Sequence, residues 1–186
     1  MAPLNVEVIV GSVREGANGT SSGGLVCRAR NREPVVERIG DRPQRAVVAP
    51  GFLGFTCHGG FPPANRARDA VVAVTSEYNH GYPAALKTAF DSVKHEWRAK
   101  PIGFVSYGGI SGGVRAVEQL RQVVAELHMV SVRQSVTIHR VRKQFGHEPY
   151  GVDSIAIDAS EKMIRELDWW GGSGLRMQRA SDPYPG

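Results

Sequence analysis

The chain has 186 residues, 41% of them hydrophobic, with 23 Lys and Arg against 18 Asp and Glu and only two cysteines. That size suits one domain with a buried core, and the mixed charge excludes a disordered chain. No apolar run approaches the roughly 20 residues of a membrane span, no repeat appears, and two cysteines cannot make a disulfide framework. A cytoplasmic protein with no membrane partner is expected.

The formal charge of +5 raises the question of nucleic acid, so its location matters. Residues 17–68 hold eight Arg, no Lys and three acids, which accounts for the whole excess, while the remaining 15 bases and 15 acids cancel. No nucleic-acid partner is expected. The same segment contains both cysteines, eight Gly and five Pro, and follows neither helical nor strand periodicity.

In chain order, the first predicted element is the β-branched run Asn5–Val10, a buried strand that stops at Gly11-Ser12. Asp69–Thr75 and Pro101–Ser106 repeat this form, and Met129–Ile138 does so more weakly. Between them, Pro83 opens a helix carrying Leu86, Ala89, Phe90 and Val93, and Val114 to Leu127 shows apolar spacings of three and four. The apolar residues on two faces of the Pro83 helix point to a dimer contact. A last helix is expected from about Asp158 or Ser160 to Gly171-Gly172, with a flexible tail over 171–186. Alternating strands and helices argue for a parallel sheet covered on both faces, with ligands at the carboxyl ends of its strands.

Three polar loops fall at that end. GSVREG, Gly11–Gly16, offers glycines, a hydroxyl and a guanidinium to a phosphate, although a glycine turn after a strand is equally common for steric reasons. It is neither a Walker motif nor GxGxxG. TSEYNHGYPAALKTAFD, Thr75–Asp91, crowds amide, imidazole and phenol groups into one turn. SYGGISGG, Ser106–Gly113, exposes backbone donors without side chains in the way, and a planar ring fits between these two loops. His58, His80, His95, His128, His139 and His147 share no ligand spacing, so no metal is expected. The basic run Arg140–Lys143 reads as solvated surface charge, and Lys87 either as a solvated helix charge or as a candidate site residue.

These three loops together resemble the NADPH-dependent FMN reductases, a family of flavodoxin-like flavoproteins that includes chromate, quinone and azo-dye reductases. GSVREG is similar to that family's phosphate loop, TSEYNHGYPAALKTAFD to its TPEYN-x-x-x-P-x-x-L-K-N signature, and SYGGISGGVRAVEQLR to its ring-binding glycine loop and following helix. The resemblance implies a three-layer α/β sandwich with a five-stranded parallel sheet in the order 2-1-3-4-5. It also implies bound FMN, NAD(P)H as co-substrate, a small-molecule electron acceptor and a homodimer or homotetramer. Phosphate contacts carry over to Ser12, Arg14 and Gly16, ring contacts to Glu77, Tyr78 and Asn79, and pyrimidine-edge contacts to Ser106, Gly108, Gly109, Ser111 and Gly112. Hydride transfer requires no general acid or base, and no catalytic side chain is assigned. The competing reading is a flavodoxin-like module that holds FMN without turnover, or a damaged relative.

Ser76 stands where the family usually has Pro, and Thr88 where it usually has Asn. The larger departure is residues 17–68, where the family has a helix and a second strand. Enrichment in Arg, Gly, Pro, Ala and Cys without Lys is what a shifted reading frame of a GC-rich gene produces. The expectation is a frame disruption inside a single domain spanning residues 1–186; a genuine divergent insertion is the alternative.

Overall fold

The computed structural model describes residues 6–11, 69–144, 154–182 and 184–185. Four strands, β1 (Val6–Val10), β2 (Ala70–Ser76), β3 (Pro101–Tyr107) and β4 (Val130–Ile138), form one sheet in the order β1-β2-β3-β4, and every neighbouring pair is parallel. All four sequence-predicted strands are present with ends moved by one residue or less. The expected second strand and its helix lie outside the described residues.

Each face of β2 feeds a different core. Val71 and Ala73 join Ile9, Ile102 and Phe104 under helices α1 (Ala84–Asp91) and α2 (Val114–Glu126). Ala70, Val72 and Val74 join Val105, Val136 and Ile138 under the long helix α4 (Ser154–Asp168), which contributes Ala156, Met163 and Leu167. A strand buried on both faces reads as an unbroken apolar run, which is why AVVAV carried such a clear signal. A short helix, α3 (Val141–Gln144), follows β4 directly.

The expected dimer face of α1 is spent inside the protomer. Ala85, Leu86, Ala89 and Phe90 are buried, and Tyr82 and Val93 pack partly buried against the same cluster. The chain then turns through a 3₁₀ segment, His95–Trp97, whose indole is fully buried, donates to the Phe90 carbonyl at 2.9 Å and meets the Phe90 ring edge-on at 5.5 Å. Lys87 pairs with Asp91 one turn on at 2.6 Å, as a solvated helix charge would, and Thr88 Oγ1 donates to the Ala84 carbonyl at 3.1 Å.

The weaker signal of β4 has a physical cause. Its register against β3 slips between Ile102 and Phe104, so Val132, Arg133 and Gln134 together face Gly103. Such a bulge frees backbone groups that need partners. Arg121 of α2 donates to the carbonyls of Val132 at 2.9 Å and Arg133 at 3.2 Å and to the Ser131 hydroxyl, while the Gln134 N–H donates to Glu166 of α4 at 3.0 Å. Two helices, one on each face, hold the irregular strand.

The C-terminal helix departs from the sequence expectation at both ends. It starts at Ser154 rather than near Asp158 or Ser160, and it does not stop at Gly171-Gly172. The chain widens there into a π-helical turn, Trp169–Gly174, in which the Leu175 N–H donates to the Trp170 carbonyl, and it resumes as α5 (Leu175–Ser181). A widened turn absorbs residues that would otherwise end the helix. Trp170 packs on the core and meets Trp169 edge-on at 4.9 Å, which ties the turn in place. Beyond α5, the Tyr184 hydroxyl reaches His128 Nδ1 at 3.0 Å. No described helix is long and apolar enough to cross a membrane.

Gly103 gives a test of this packing. A Cβ there would lie 2.7 Å from Met163 Sδ and 3.2 Å from Leu167 Cδ1. Gly103→Val is therefore expected to destabilise the fold by about 1–3 kcal/mol, measured by denaturant unfolding. An unchanged midpoint would show that α4 does not sit on β3 at this distance.

Candidate functional site

Because β2 and β3 are parallel and Ser76 pairs with Tyr107, the two chains leave the sheet side by side and in the same direction. Glu77 and Gly108 are the next residues of each. At this end the structure brings together Glu77, Tyr78, Asn79, Gly108, Gly109, Ser111 and Gly112. Ser12, Arg14 and Gly16 lie outside the described residues. Gly11 begins that first loop, and its N–H donates to the Val74 carbonyl at 2.8 Å. A Cβ at Gly11 would come within 2.8 Å of Leu86 Cβ, so only glycine lets the chain turn across α1 here.

The loop after β2 is a two-residue hairpin turn. Tyr78 N–H donates to the Gly81 carbonyl at 2.9 Å and Gly81 N–H returns to the Tyr78 carbonyl at 3.1 Å. Its central residues, Asn79 and His80, have φ of 52° and 71°. Positive φ at both central residues matches a type I′ turn, which asparagine suits at the first position and in which glycine, rather than histidine, is the favoured second residue. Outside contacts hold it: the His80 carbonyl accepts from Gln119 at 3.1 Å, and its ring Nε2 lies 2.6 Å from Arg115 Nη1. A guanidinium only donates, so Nε2 is the acceptor.

Arg115 is the hub of this end. Its Nε donates to Glu77 Oε1 at 2.7 Å, Nη2 also pairs with that oxygen, and Nη2 donates to Ser111 Oγ at 3.1 Å. Ser111 Oγ in turn donates to Glu77 Oε1 at 3.1 Å. The Glu77 side chain is only 5% exposed, and its Oε2 is buried with no hydrogen-bond partner among the described residues. Burial pushes its carboxyl up, but hydrogen bonds from Arg115 and Ser111 and the adjacent guanidinium charge outweigh that and hold it below the ordinary value of 4.5. Sequence reasoning missed Arg115 and Gln119. The available signal was the spacing of Ser111 and Arg115, one turn apart at the start of α2.

The glycines after β3 divide into two kinds. Gly112 and Gly113 have φ of 62° and 90° and turn the chain into α2. A Cβ at Gly112 would strike Thr137 Cγ2 at 2.5 Å, and one at Gly113 would strike Ser106 Cβ at 2.8 Å, so both glycines are set by packing. Gly108 is committed as well: its N–H donates to the Ile138 carbonyl and its carbonyl accepts from Val141. Ser106 turns its hydroxyl into the core, toward the Val136 carbonyl at 3.4 Å, away from the loops. Gly109 is different. It is exposed, a Cβ there would meet no atom within 4 Å, and the N–H groups of Gly109 and Ile110 have no partner among the described residues. Free donors on an open, side-chain-free edge can receive a carbonyl or ring nitrogen.

Two outcomes follow. The Glu77 network stabilises the protein fully above the ordinary glutamate range and loses that contribution as pH falls through the lowered value. The melting temperature of Glu77→Gln should therefore fall less steeply than the parent's between about pH 5 and about pH 3, and parallel curves would dismiss the pairing. The buried Ser76 hydroxyl has no hydrogen-bond partner among the described residues, and Ser76→Ala should be neutral or stabilising by up to about 1 kcal/mol, read from unfolding midpoints.

Residues 63–143 match the family model of NADPH-dependent FMN reductase. The NAD(P)H-dependent FMN reductase LOT6 of Saccharomyces cerevisiae is 52% identical over 63 residues, 34% of this chain and 32% of the relative. The NAD(P)H-dependent FMN reductase C4B3.06c of Schizosaccharomyces pombe is 52% identical over 61 residues, 33% of this chain and 30% of the relative. The chain thus matches about a third of the length of each of these curated relatives. Among solved structures, the flavoenzyme NAD(P)H:(acceptor) oxidoreductase FerB of Paracoccus denitrificans superposes with a TM-score of 0.60 at 19% identity, over 90% of this chain and 97% of that one, a likeness of fold. The β2–α1–β3–α2–β4 unit, with the loops that follow β2 and β3, lies inside the residues that match the NADPH-dependent FMN reductase family model.

Proposed function

We propose that this chain is an FMN-dependent NAD(P)H oxidoreductase that passes hydride from NAD(P)H through bound FMN to a quinone, azo, metal-ion or free-flavin acceptor by a ping-pong route. The observation that carries the reading is the open edge at Gly109 and Ile110, with two backbone donors unclaimed among the described residues, beside the turn that presents Tyr78. These residues fit an isoalloxazine. Its carbonyl edge would take the Gly109 and Ile110 donors, its flat face would lie against the Tyr78 loop, and Ser12, Arg14 and Gly16 would take the phosphate. FMN supplies the two-electron chemistry when bound, accepting hydride from NAD(P)H and delivering it to the acceptor. The chain's own residues orient and tune. Arg115 fixes Glu77 and Ser111, which keeps the two loops at a set separation, and the negative Glu77 sits against that pair without facing water.

The same reading takes the family's strand order 2-1-3-4-5, with the second βα region within residues 17–68 disrupted, in one domain of a cytoplasmic homodimer or homotetramer. Three half-buried valines on one face of β1, Val6, Val8 and Val10, support additional cover there, and the exposed Ile155 and Trp169 support self-association.

Gly109→Val provides the test. Space is open around the position, so folding should be unaffected, whereas a branched side chain on the ring edge should remove retained flavin. Purified parent protein is expected to show flavin absorbance, release FMN on denaturation and oxidise NADPH in the presence of a quinone; the variant is expected to be colourless with an unchanged melting temperature. Flavin retention by the variant would move the ring elsewhere. A parent that holds flavin but oxidises no NADPH would be a binding module.

A further inference from the structure

Among the described residues a run of basic side chains lies beside the open glycine edge. His139, Arg140, Arg142 and Lys143 follow β4 with no acid among them, and all four are exposed. Three hydrogen bonds staple this turn to the glycine loop, and a fourth closes the turn on itself. Arg140 N–H donates to the Gly109 carbonyl at 2.7 Å, Val141 N–H to Gly108 at 3.1 Å, His139 Nδ1 lies 2.7 Å from the Ile110 carbonyl, and Gln144 closes the turn on the His139 carbonyl at 2.9 Å. Arg140 holds φ of 47°, a conformation uncommon outside glycine, and its N–H is bonded to Gly109. The turn therefore moves with the glycine edge as one body. Between them is a cavity of about 400 Å³ lined by Ile110, His139, Arg140, Lys143 and Gln144, and Ile110 on its rim is 85% exposed. Among the described residues no ion pair engages Arg140 or Lys143, whereas Lys87, Arg115, Arg121 and Lys162 are paired with carboxylates.

An apolar platform beside two unpaired cations suits a flat base carrying phosphate. FMN brings a single phosphate, which the proposed function assigns to the loop after β1. That loop and the basic turn leave opposite edges of the described sheet, three strand spacings or about 14 Å apart, with the ring loops between them. An anion held at the basic turn would therefore belong to a second ligand. Resting on the proposed function for the identity of that ligand, we infer that Arg140 and Lys143 bind the phosphates of the adenosine half of the nicotinamide dinucleotide, with the adenine lying on Ile110. The dinucleotide then approaches from the β4 side and the cofactor phosphate is held on the β1 side, so the two do not compete.

The test uses the full chain and an Arg140→Gln, Lys143→Gln double variant, with Lys143→Glu as a second variant whose exposed site cannot unfold the protein. Calorimetric titration with 2′,5′-ADP reads the nucleotide site without turnover, and absorbance reads flavin content separately. The parent should bind 2′,5′-ADP, both variants should bind it about tenfold or more weakly, and flavin content should stay the same. Where turnover is present, KM for NADPH should rise; a rise for NADPH alone assigns the cations to the 2′-phosphate, and an equal rise for NADH assigns them to the pyrophosphate. Equal 2′,5′-ADP affinity in parent and variants overturns the inference whatever the flavin content. A colourless parent that still binds 2′,5′-ADP through these cations would overturn the flavin reading and leave the nucleotide site standing.

Discussion

Parallel pairing of β2 with β3 is the constraint on which the rest of this end of the molecule depends. With Ser76 opposite Tyr107, the loop after each strand begins at the same height and on the same side of the sheet. An antiparallel pair would have sent them to opposite ends. The apolar alternation on both faces of β2 fixes that register, since a slip of one residue would exchange Val71 and Ala73 with Val72 and Val74 between two differently shaped cores. The starting points of the Glu77 and Ser111 loops are therefore set largely by apolar side chains.

On that frame, Arg115 does what sheet pairing cannot. The turn at Asn79-His80 places histidine where glycine is the favoured residue, and Arg115 and Gln119 hold His80 there from α2. The same guanidinium compensates the buried Glu77 carboxylate, which would otherwise protonate or turn outward. A single side chain one helical turn past Ser111 thus joins strand end, hairpin turn and glycine loop. Rigidity of this kind suits a site whose chemistry a cofactor supplies, because the protein's share of the work is orientation.

The far side of the sheet is built differently. β4 carries a bulge opposite Gly103, and its orphaned backbone groups are taken up by Arg121 from one face and Glu166 from the other. Beyond it, the chain folds back through Arg140 and Val141 onto Gly109 and Gly108. The glycine loop is consequently held from two sides, by Arg115 through Ser111 and by the β4 turn through its carbonyls, and Gly109 is the point left open between the two restraints.

Much of this was legible in the sequence. Runs such as AVVAV and PIGFVS, buried on both faces, announce parallel strands; the spacing from Val114 to Leu127 announces a helix; and their alternation places three polar loops at one end. Local pattern carries this information because periodicity and chain direction are local properties. Several features were not local. The five glycines at 108, 109, 112, 113 and 103 look alike in sequence, yet packing dictates four of them through contacts with residues that are distant in the chain or folded back onto the loop, and only Gly109 is open. Ser106 looked like a loop hydroxyl and faces the core, because strand β3 runs one residue further than its pattern suggested. The glycines at 171 and 172 read as a helix stop, but Trp170 against the core lets the helix widen and continue. Arg115 carried too little signal at its own position, since its partners lie 35 and 38 residues earlier. The sequence by itself determined which segments are strands and helices and which loops share an end; the tertiary structure alone decided which backbone groups remain unspent there, because that depends on contacts between residues that no sequence period relates.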